Sequence, residues 1–311
     1  KLNFNYGLFG MRQTADKAIP ITRNAEIKQL SDVLKQDGYK RKERVFVTGA
    51  SGYLGQNLIR QLLNDNEYEL WLYGRNKQKL ENLFAAQSVR LFDYQDYEMG
   101  RIPFGNIDVL LHLGFARPQK TNHEIAASLK FSLDLFTRAA IYNVPTIINI
   151  SSQSVYGVEF EPLWHEDKTP AMPATPYAQA KFATEESLNM LKNIYTPLNS
   201  TSIRLAGITG GAPGLQKETD FIAKMVESIK NNENINVFGG SQKIERLDIS
   251  DAVNGLKKII KNKDHISHNA YNLGSGVQHS LESVAKKILN ASKINNNNCR
   301  SELKISKADK V

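Results

Sequence analysis

A single cysteine, Cys299, in 311 residues excludes an intrachain disulfide and suits a reducing compartment, so a cytoplasmic protein is expected. No apolar run approaches the ~18 residues of a membrane-spanning helix, which argues against a membrane protein. The first residues lack a basic stretch followed by an apolar core, so no signal peptide is expected. Residue 1 is Lys rather than Met, which is compatible with a fragment of a longer product. No internal repeat is visible, and the one low-complexity run, Asn295–Asn298, reads as a surface loop. His165-Glu166-Asp167 is the one dense cluster of metal-type ligands, but no second His or Cys follows at ligand spacing, so no metal is expected.

What is present is an ordinary globular composition, 41% hydrophobic and 23% charged, long enough for one large α/β domain with a smaller lobe. The net charge of +8 favours anionic ligands such as phosphates. Nucleic acid is not expected, because no recognised motif or interleaving of aromatic and basic residues accompanies that charge. The densest basic cluster, Lys40 to Arg44, reads as a linker between an N-terminal extension, 1–43, and the main body. Within the extension, Asn24 to Gln36 has the apolar spacing of an amphipathic helix.

The stretch Val45 to Gly55 organises the rest. A short apolar strand is followed by Gly49, Gly52 and Gly55, and then by apolar residues at helical spacing. Strand, glycine turn and helix in that order let a backbone approach a pyrophosphate and present a helix N-terminus to it. Further strands are expected at Glu69–Tyr73, Val89–Phe92, Val109–Leu113, Thr146–Ile150 and Ser202–Leu205, with helices at Ile125–Asn143 and Ala178–Asn193 among them. Near-continuous apolar strands separated by helices indicate a parallel sheet covered on both faces, an α/β doubly wound fold. Past Arg204 the pieces are shorter and glycine-rich (Gly207, Gly210, Gly211, Gly214), which reads as a small C-terminal lobe. The expected division is 44–206 for the dinucleotide-binding part and 207–311 for the substrate-binding part, with some elements returning to the main domain.

Two further stretches carry chemistry. The second strand ends Tyr73-Gly74-Arg75 where an acidic residue would hold the adenosine ribose; Gly74 makes space and Arg75 can clamp a 2′-phosphate, so NADP is favoured over NAD. Asp93, past the third strand, is placed to accept from an adenine amino group. Later, Tyr177 and Lys181 stand four apart and share a helix face. An ammonium one turn from a phenol favours the phenolate, lowering a pKa that is about 10 in water. A serine from the Ser151-Ser152-Gln153-Ser154 strand end can hold the substrate oxygen meanwhile.

Over Arg44 to Leu289 the sequence resembles the short-chain dehydrogenase/reductase superfamily, in its extended branch of nucleotide-sugar epimerases, dehydratases and reductases. The resemblance rests on Thr48 to Gly55, His112-Leu113-Gly114, Ser151 to Gly157, Tyr177 to Lys181, Asp251-Ala252-Val253 and Tyr271 to Gly276. It implies a Rossmann-like sheet, a dinucleotide held by Gly49, Ser51, Gly52, Tyr53, Leu54, Gly55, Leu113 and Gly114, and catalysis by Ser152, Tyr177 and Lys181, with Ser154 as a second partner. The substrate implied is a nucleotide-activated sugar, and a homodimer is compatible with the branch. His112 is expected to be a packed, hydrogen-bonded residue.

Several departures from the pattern are specific. Gln153 and Ser154 replace the Asp-Glu pair of dehydratases, which disfavours dehydration. Gly207 replaces an Asn near the substrate diphosphate, Ile244 falls where an Arg is expected, and Ser128 replaces an Asn on the fourth helix. Lys243 or Arg246 is the substitute phosphate clamp. Keto-sugar reduction is slightly favoured over epimerisation, and the alternative is an NAD(P)H-binding sensor or scaffold without turnover.

Overall fold

The computed structural model describes residues 41–157, 164–211, 220–295 and 299–306. The expected helix at Asn24–Gln36, Gly214, and the asparagine run beyond Asn295 lie outside the described residues. By its contacts the chain divides into Lys1–Lys42 and Glu43–Val311, and the sheet with its helices belongs to the second unit.

Strands and helices alternate from the start. β1 (Glu43–Thr48), α1 (Tyr53–Asp65), β2 (Tyr68–Tyr73), α2 (Lys77–Phe84), β3 (Val89–Phe92) and the short α3 (Tyr94–Glu98) make the first half. β4 (Val109–His112), α4 (Asn122–Ile141), β5 (Thr146–Ser152), α5 (Pro176–Ile194) and β6 (Asn199–Leu205) make the second. A later strand, β11 (Ala270–Leu273), joins the far edge, giving the order β11-β6-β5-β4-β1-β2-β3 with every neighbouring pair parallel. The order reverses between β1 and β4, so the crossovers leave to opposite sides there and open a crevice at the strands' carboxyl ends.

The alternating side-chain direction of a strand explains the two layers. Val45 and Val47 point to one face and pack with Leu58, Ile59 and Leu62 of α1. The same layer holds Ala252, Val253 and Leu256 of α7, the helix Ile249–Lys261. Phe46 between them points to the other face, with Trp71, Leu110 and Ile147, under Phe136 of α4 and Leu188 of α5. Burial on both faces is why these strands read as unbroken apolar runs.

Between β6 and the chain end lie β7 (Ile208–Thr209), α6 (Phe221–Lys230), β8 (Ile235–Phe238), β9 (Lys243–Glu245) and β10 (Leu247–Asp248). After α7 and β11 come β12 (Gln278–Ser280), α8 (Leu281–Asn295) and β13 (Leu303–Ser306). α6, β8 and α8 share a separate small core of Met225, Ile229, Ile235, Val237, Ala285 and Leu289.

One expectation is corrected by the fold. Arg44, the end of the basic run, lies inside β1 rather than in a linker. Its backbone N–H donates to Asp108 (2.8 Å) and its Nε to Glu69 (3.1 Å), which ties the strand to its surroundings.

Candidate active site

The glycine turn is shaped by contacts that no side chain would allow. Gly49 has φ +69, and a Cβ there would stand 2.7 Å from the Gly114 nitrogen. A Cβ on Gly55 would overlap the Gly49 carbonyl oxygen and reach within 3.0 Å of the Ala50 Cα. α1 therefore starts tight against β1. Its N-cap, Gly52, offers no side-chain bond, and its first turn holds no acidic residue. The N-terminal N–H groups and the positive end of the helix dipole stay available to an anion.

A second anchor joins the ends of β1 and β4 across the switch point. Buried His112 sits between the Thr48 hydroxyl (2.7 Å) and the Ser132 hydroxyl (2.8 Å). Thr48 Oγ1 also accepts from the Gly114 N–H (3.2 Å). Burial, with the Lys181 charge adding to it, holds the His112 pKa down at about 3, so the ring is a neutral hydrogen-bonding strut.

The third group comes from β5 and α5. Thr175 caps α5 by accepting from the Ala178 N–H (3.2 Å), and Pro176 opens the helix, so Tyr177 falls in its first turn. Ser152, at the end of β5, accepts from both the N–H (3.2 Å) and the hydroxyl (3.0 Å) of Ser154, and hydrogen-bonds Tyr177. One turn along α5, buried Lys181 donates to the Ile150 carbonyl (2.7 Å) and lies 4.0 Å from the centre of the Phe115 ring. Burial brings its pKa down to about 7, against the opposing charge of Glu185.

Glu185 itself is committed elsewhere. Arg204 of β6 pairs with it at 2.8 Å and donates to the Tyr156 hydroxyl (2.9 Å). The Tyr156 hydroxyl in turn donates to the Asn272 side chain (2.7 Å), and its ring stacks on Trp164 at 5.0 Å.

These groups meet at one cleft of about 530 Å³, within the size range of small-molecule sites. It is lined by Gly49, Gly52, Tyr53, Leu54, Gly55 and Leu113 from the dinucleotide side, and by Ser152, Ser154, Tyr177 and Lys181 from the other. Lys243 and Arg246 line its third side, from β9 and the residue beyond it. Ser51, Gly114, Arg75 and Asp93 are not among the lining residues. Gly114 acts one step behind, through its contact with Gly49. Asp93 caps α3, accepting from the Asp96 N–H (2.9 Å). Arg75 is exposed past the end of β2.

Two expectations change. Tyr177 is not pulled below the ordinary phenol value: burial pushes it up to about 12, with the Ser152 hydrogen bond opposing. The Lys181 ammonium is directed at Ile150 and the Phe115 ring. Nor does Gly74 hold space open, because Leu80 packs 3.2 Å from where its Cβ would be.

Phe115 and Trp164 line the cleft as well and were not legible in the sequence. Phe115 also meets the Tyr177 ring edge-on at 6.0 Å. The one available hint is that Phe115 directly follows the strand end His112-Leu113-Gly114. Among the described residues no helix is long and apolar enough to cross a membrane, and no His, Cys, Asp or Glu cluster could hold a metal.

The residues present suit a dinucleotide: the turn is a cradle that any Cβ would fill, and the helix end beside it carries no capping side chain. Comparison with known proteins agrees. The sequence pattern of the NAD dependent epimerase/dehydratase family matches residues 45–274. The chain is similar to UDP-glucose 4-epimerase of Mycolicibacterium smegmatis, 26% identical over 261 residues, covering 80% of this chain and 82% of that protein. Among solved structures it is similar in fold to UDP-glucose 4-epimerase of Thermotoga maritima with UDP-glucose (TM-score 0.70, 21% identity, 86% of each chain). A second is Thermus thermophilus UDP-glucose 4-epimerase in complex with NAD (TM-score 0.67, 17% identity, 85% of this chain and 86% of that one). With three quarters of its length matched by that pattern, glycine turn and tyrosine–lysine helix included, the chain belongs to the NAD dependent epimerase/dehydratase family.

Proposed function

We propose that this protein is an NAD(P)-dependent enzyme that moves a hydride at a carbon of a nucleotide-activated sugar, with Tyr177 as its general acid and base. The observation that carries the reading is the single cleft shared by the glycine turn and by Ser152, Tyr177 and Lys181. A bound nicotinamide dinucleotide supplies the hydride acceptor and donor. Gly49, Gly52 and Gly55, with the first N–H groups of α1, hold its phosphates. Ser152 hydrogen-bonds the reacting sugar oxygen. As the C–H bond gives up its hydride, Tyr177 takes the hydroxyl proton, leaving a ketone; in reverse it returns the proton. Lys181, titrating near neutrality, orients the ribose and balances charge beside the phenol. Residues 207–311 serve as the substrate side of the cleft, with β11 and α7 returned to the main domain.

Epimerisation is the first reading, supported by the UDP-glucose 4-epimerase relatives: the keto-sugar stays bound and is reduced on its other face. Net reduction is the second, supported by Arg75, which is exposed, makes no ion pair among the described residues, and suits the 2′-phosphate of NADP. Dehydration is not proposed, since Gln153 and Ser154 offer no acid–base pair.

The test incubates purified protein with a panel of UDP- and dTDP-sugars and NAD+ or NADP+, and with the corresponding keto-sugars and NADH or NADPH. Epimerisation changes the sugar NMR spectrum without net loss of reduced-nicotinamide absorbance; reduction consumes it. Tyr177→Phe is expected to lower turnover by about 10²–10⁴-fold while dinucleotide binding persists. Retained turnover in that variant removes Tyr177 from the mechanism. Dinucleotide binding without turnover of any sugar replaces the enzyme with the sensor reading.

A further inference from the structure

Few conventional partners hold the Lys181 ammonium. It is buried, and its one hydrogen bond among the described residues runs to the Ile150 carbonyl (2.7 Å), although an ammonium has three donors. The titratable groups around it supply no direct counter-ion. His112, at the end of β4, is neutral, and Tyr177, one turn back on α5, keeps its proton near neutral pH. Glu185, one turn on, is paired with Arg204 of β6. What faces the ammonium is the ring of Phe115, with Nζ 4.0 Å from its centre.

The backbone on either side sets that ring in place. The Gly114 N–H donates to Thr48 Oγ1 (3.2 Å), and the Ala116 N–H donates to the Ser128 hydroxyl of α4 (3.1 Å). Residue 115 is thus pinned between the end of β1 and α4 as the chain leaves β4. Phe115 is half-buried, lines the cleft, and meets the Tyr177 ring edge-on at 6.0 Å. One ring therefore touches both members of the tyrosine–lysine pair. The face of a benzene ring is the negative side of its quadrupole, and it attracts a cation most where water is excluded.

Resting on the reading of Lys181 as the partner of Tyr177, we propose that Phe115 is the positioning residue of that pair, its π-face acting as the second acceptor for the Lys181 ammonium. It works through the lysine and not on the substrate. A cation held on a ring face is not tied to one lone-pair direction, so the ammonium can turn towards a ribose hydroxyl and keep the ring at its back. The same contact sets how much of the lysine is charged. Lys181 titrates at about 7, so near neutrality a midpoint lower by about one pH unit takes it from about half protonated to about a tenth. A ring that served only as packing would leave that fraction alone.

The experiment replaces Phe115 in the full chain by mono-, di- and trifluorinated phenylalanines, which draw charge off the ring face while keeping its shape nearly constant. Lysine isotopically labelled at Cε reads the titration of Lys181 by NMR, its signal being the one absent from Lys181→Met. Urea denaturation checks the fold of each protein. The Lys181 midpoint is expected to fall stepwise with fluorine number, by about 0.5–1.5 pH units in all. Phe115→Tyr, which keeps the ring face, should restore the parent midpoint. A midpoint that stays in place across the series overturns the proposal and leaves Phe115 as packing. The pH–rate profile of each protein is measured alongside. A falling midpoint with an unchanged profile overturns the positioning role, because turnover then does not depend on the charge of the lysine. A chain that turns over no sugar, yet whose Lys181 midpoint follows the fluorine count, keeps the contact and overturns the nucleotide-sugar reading alone.

Discussion

A phenol whose pKa is raised by burial is a weaker acid with a more strongly basic phenolate, and its surroundings hold Tyr177 protonated near neutral pH. The one contact shown to lower its pKa is Ser152. Ser152 accepts from the Ser154 N–H and from the Ser154 hydroxyl, so its own proton is left to point elsewhere, and the Tyr177 oxygen is the acceptor at hand. A donor to the phenolate stabilises the ionised form, so removing it must raise the pKa further. Ser152→Ala is therefore expected to move the ascending limb of the pH–rate profile for sugar oxidation, where Tyr177 must lose its proton, to higher pH. It should also lower kcat by roughly 10²-fold, as loss of a positioned hydrogen-bonding group does. Ser152→Thr should restore both. An ascending limb that stays in place while kcat falls assigns Ser152 to the substrate alone.

At the scale of elements, the β1–α1 junction and the first turn of α5 place the two halves of the site. Gly55→Ala pushes a methyl into the Gly49 carbonyl and against Ala50, both of them backbone that cannot rotate away. The helix must then back off the strand. A loss of about 1–3 kcal/mol of stability is expected from the overpacking, read by urea denaturation, with dinucleotide binding weakened more than tenfold. Unchanged binding in a folded variant detaches the turn from the dinucleotide. These two junctions are also the parts that were legible in the sequence. Val45–Val47 is apolar on both faces and the glycines follow at fixed spacing, so local pattern suffices. Tyr177 and Lys181 were legible because a helix repeat places them on one face. What was not legible depends on elements distant in sequence. β11 pairs with β6 through Ala270 to Leu273, and nothing local announces its partner. Phe115 reaches Tyr177 only because β4 and β5 are neighbours, and Trp164 stacks on Tyr156 from eight residues further along the chain. Asp93, expected as an adenine ligand, also has a local use that the sequence reading did not include: it caps the next helix through one carboxylate oxygen.

For the molecule as a whole, the site sets a stability cost at its centre. Lys181 is buried against the end of β5, at the Ile150 carbonyl and the Phe115 ring, where an ammonium loses most of its hydration. Its pKa is about 7 in the folded chain and about 10.4 in an unfolded one. Below pH of about 7 both states carry the proton, and the full cost of burying the charge is present. Between about pH 7 and pH 10.4 the unfolded chain binds the proton and the folded chain does not, so stability rises with pH through this window. Lys181→Met removes the group and keeps the volume. Glu185 is not orphaned by the change, because Arg204 holds it at 2.8 Å and with two further contacts from Nε. The variant is expected to be more stable than the parent near pH 6.5 by about 1–4 kcal/mol, the range for exchanging buried ionised groups for apolar ones. That advantage should shrink steadily towards about pH 10, while turnover is lost at every pH. Urea denaturation of both proteins across this range reads the difference directly, since every other titrating group is common to the two. A gap that does not change with pH, or a Met variant less stable than its parent at pH 6.5, means the ammonium is held by more than Ile150, Phe115 and the charge of Glu185. In the expected case, the chain keeps at its centre a lysine that its fold would be more stable without, and turnover is what retains it there.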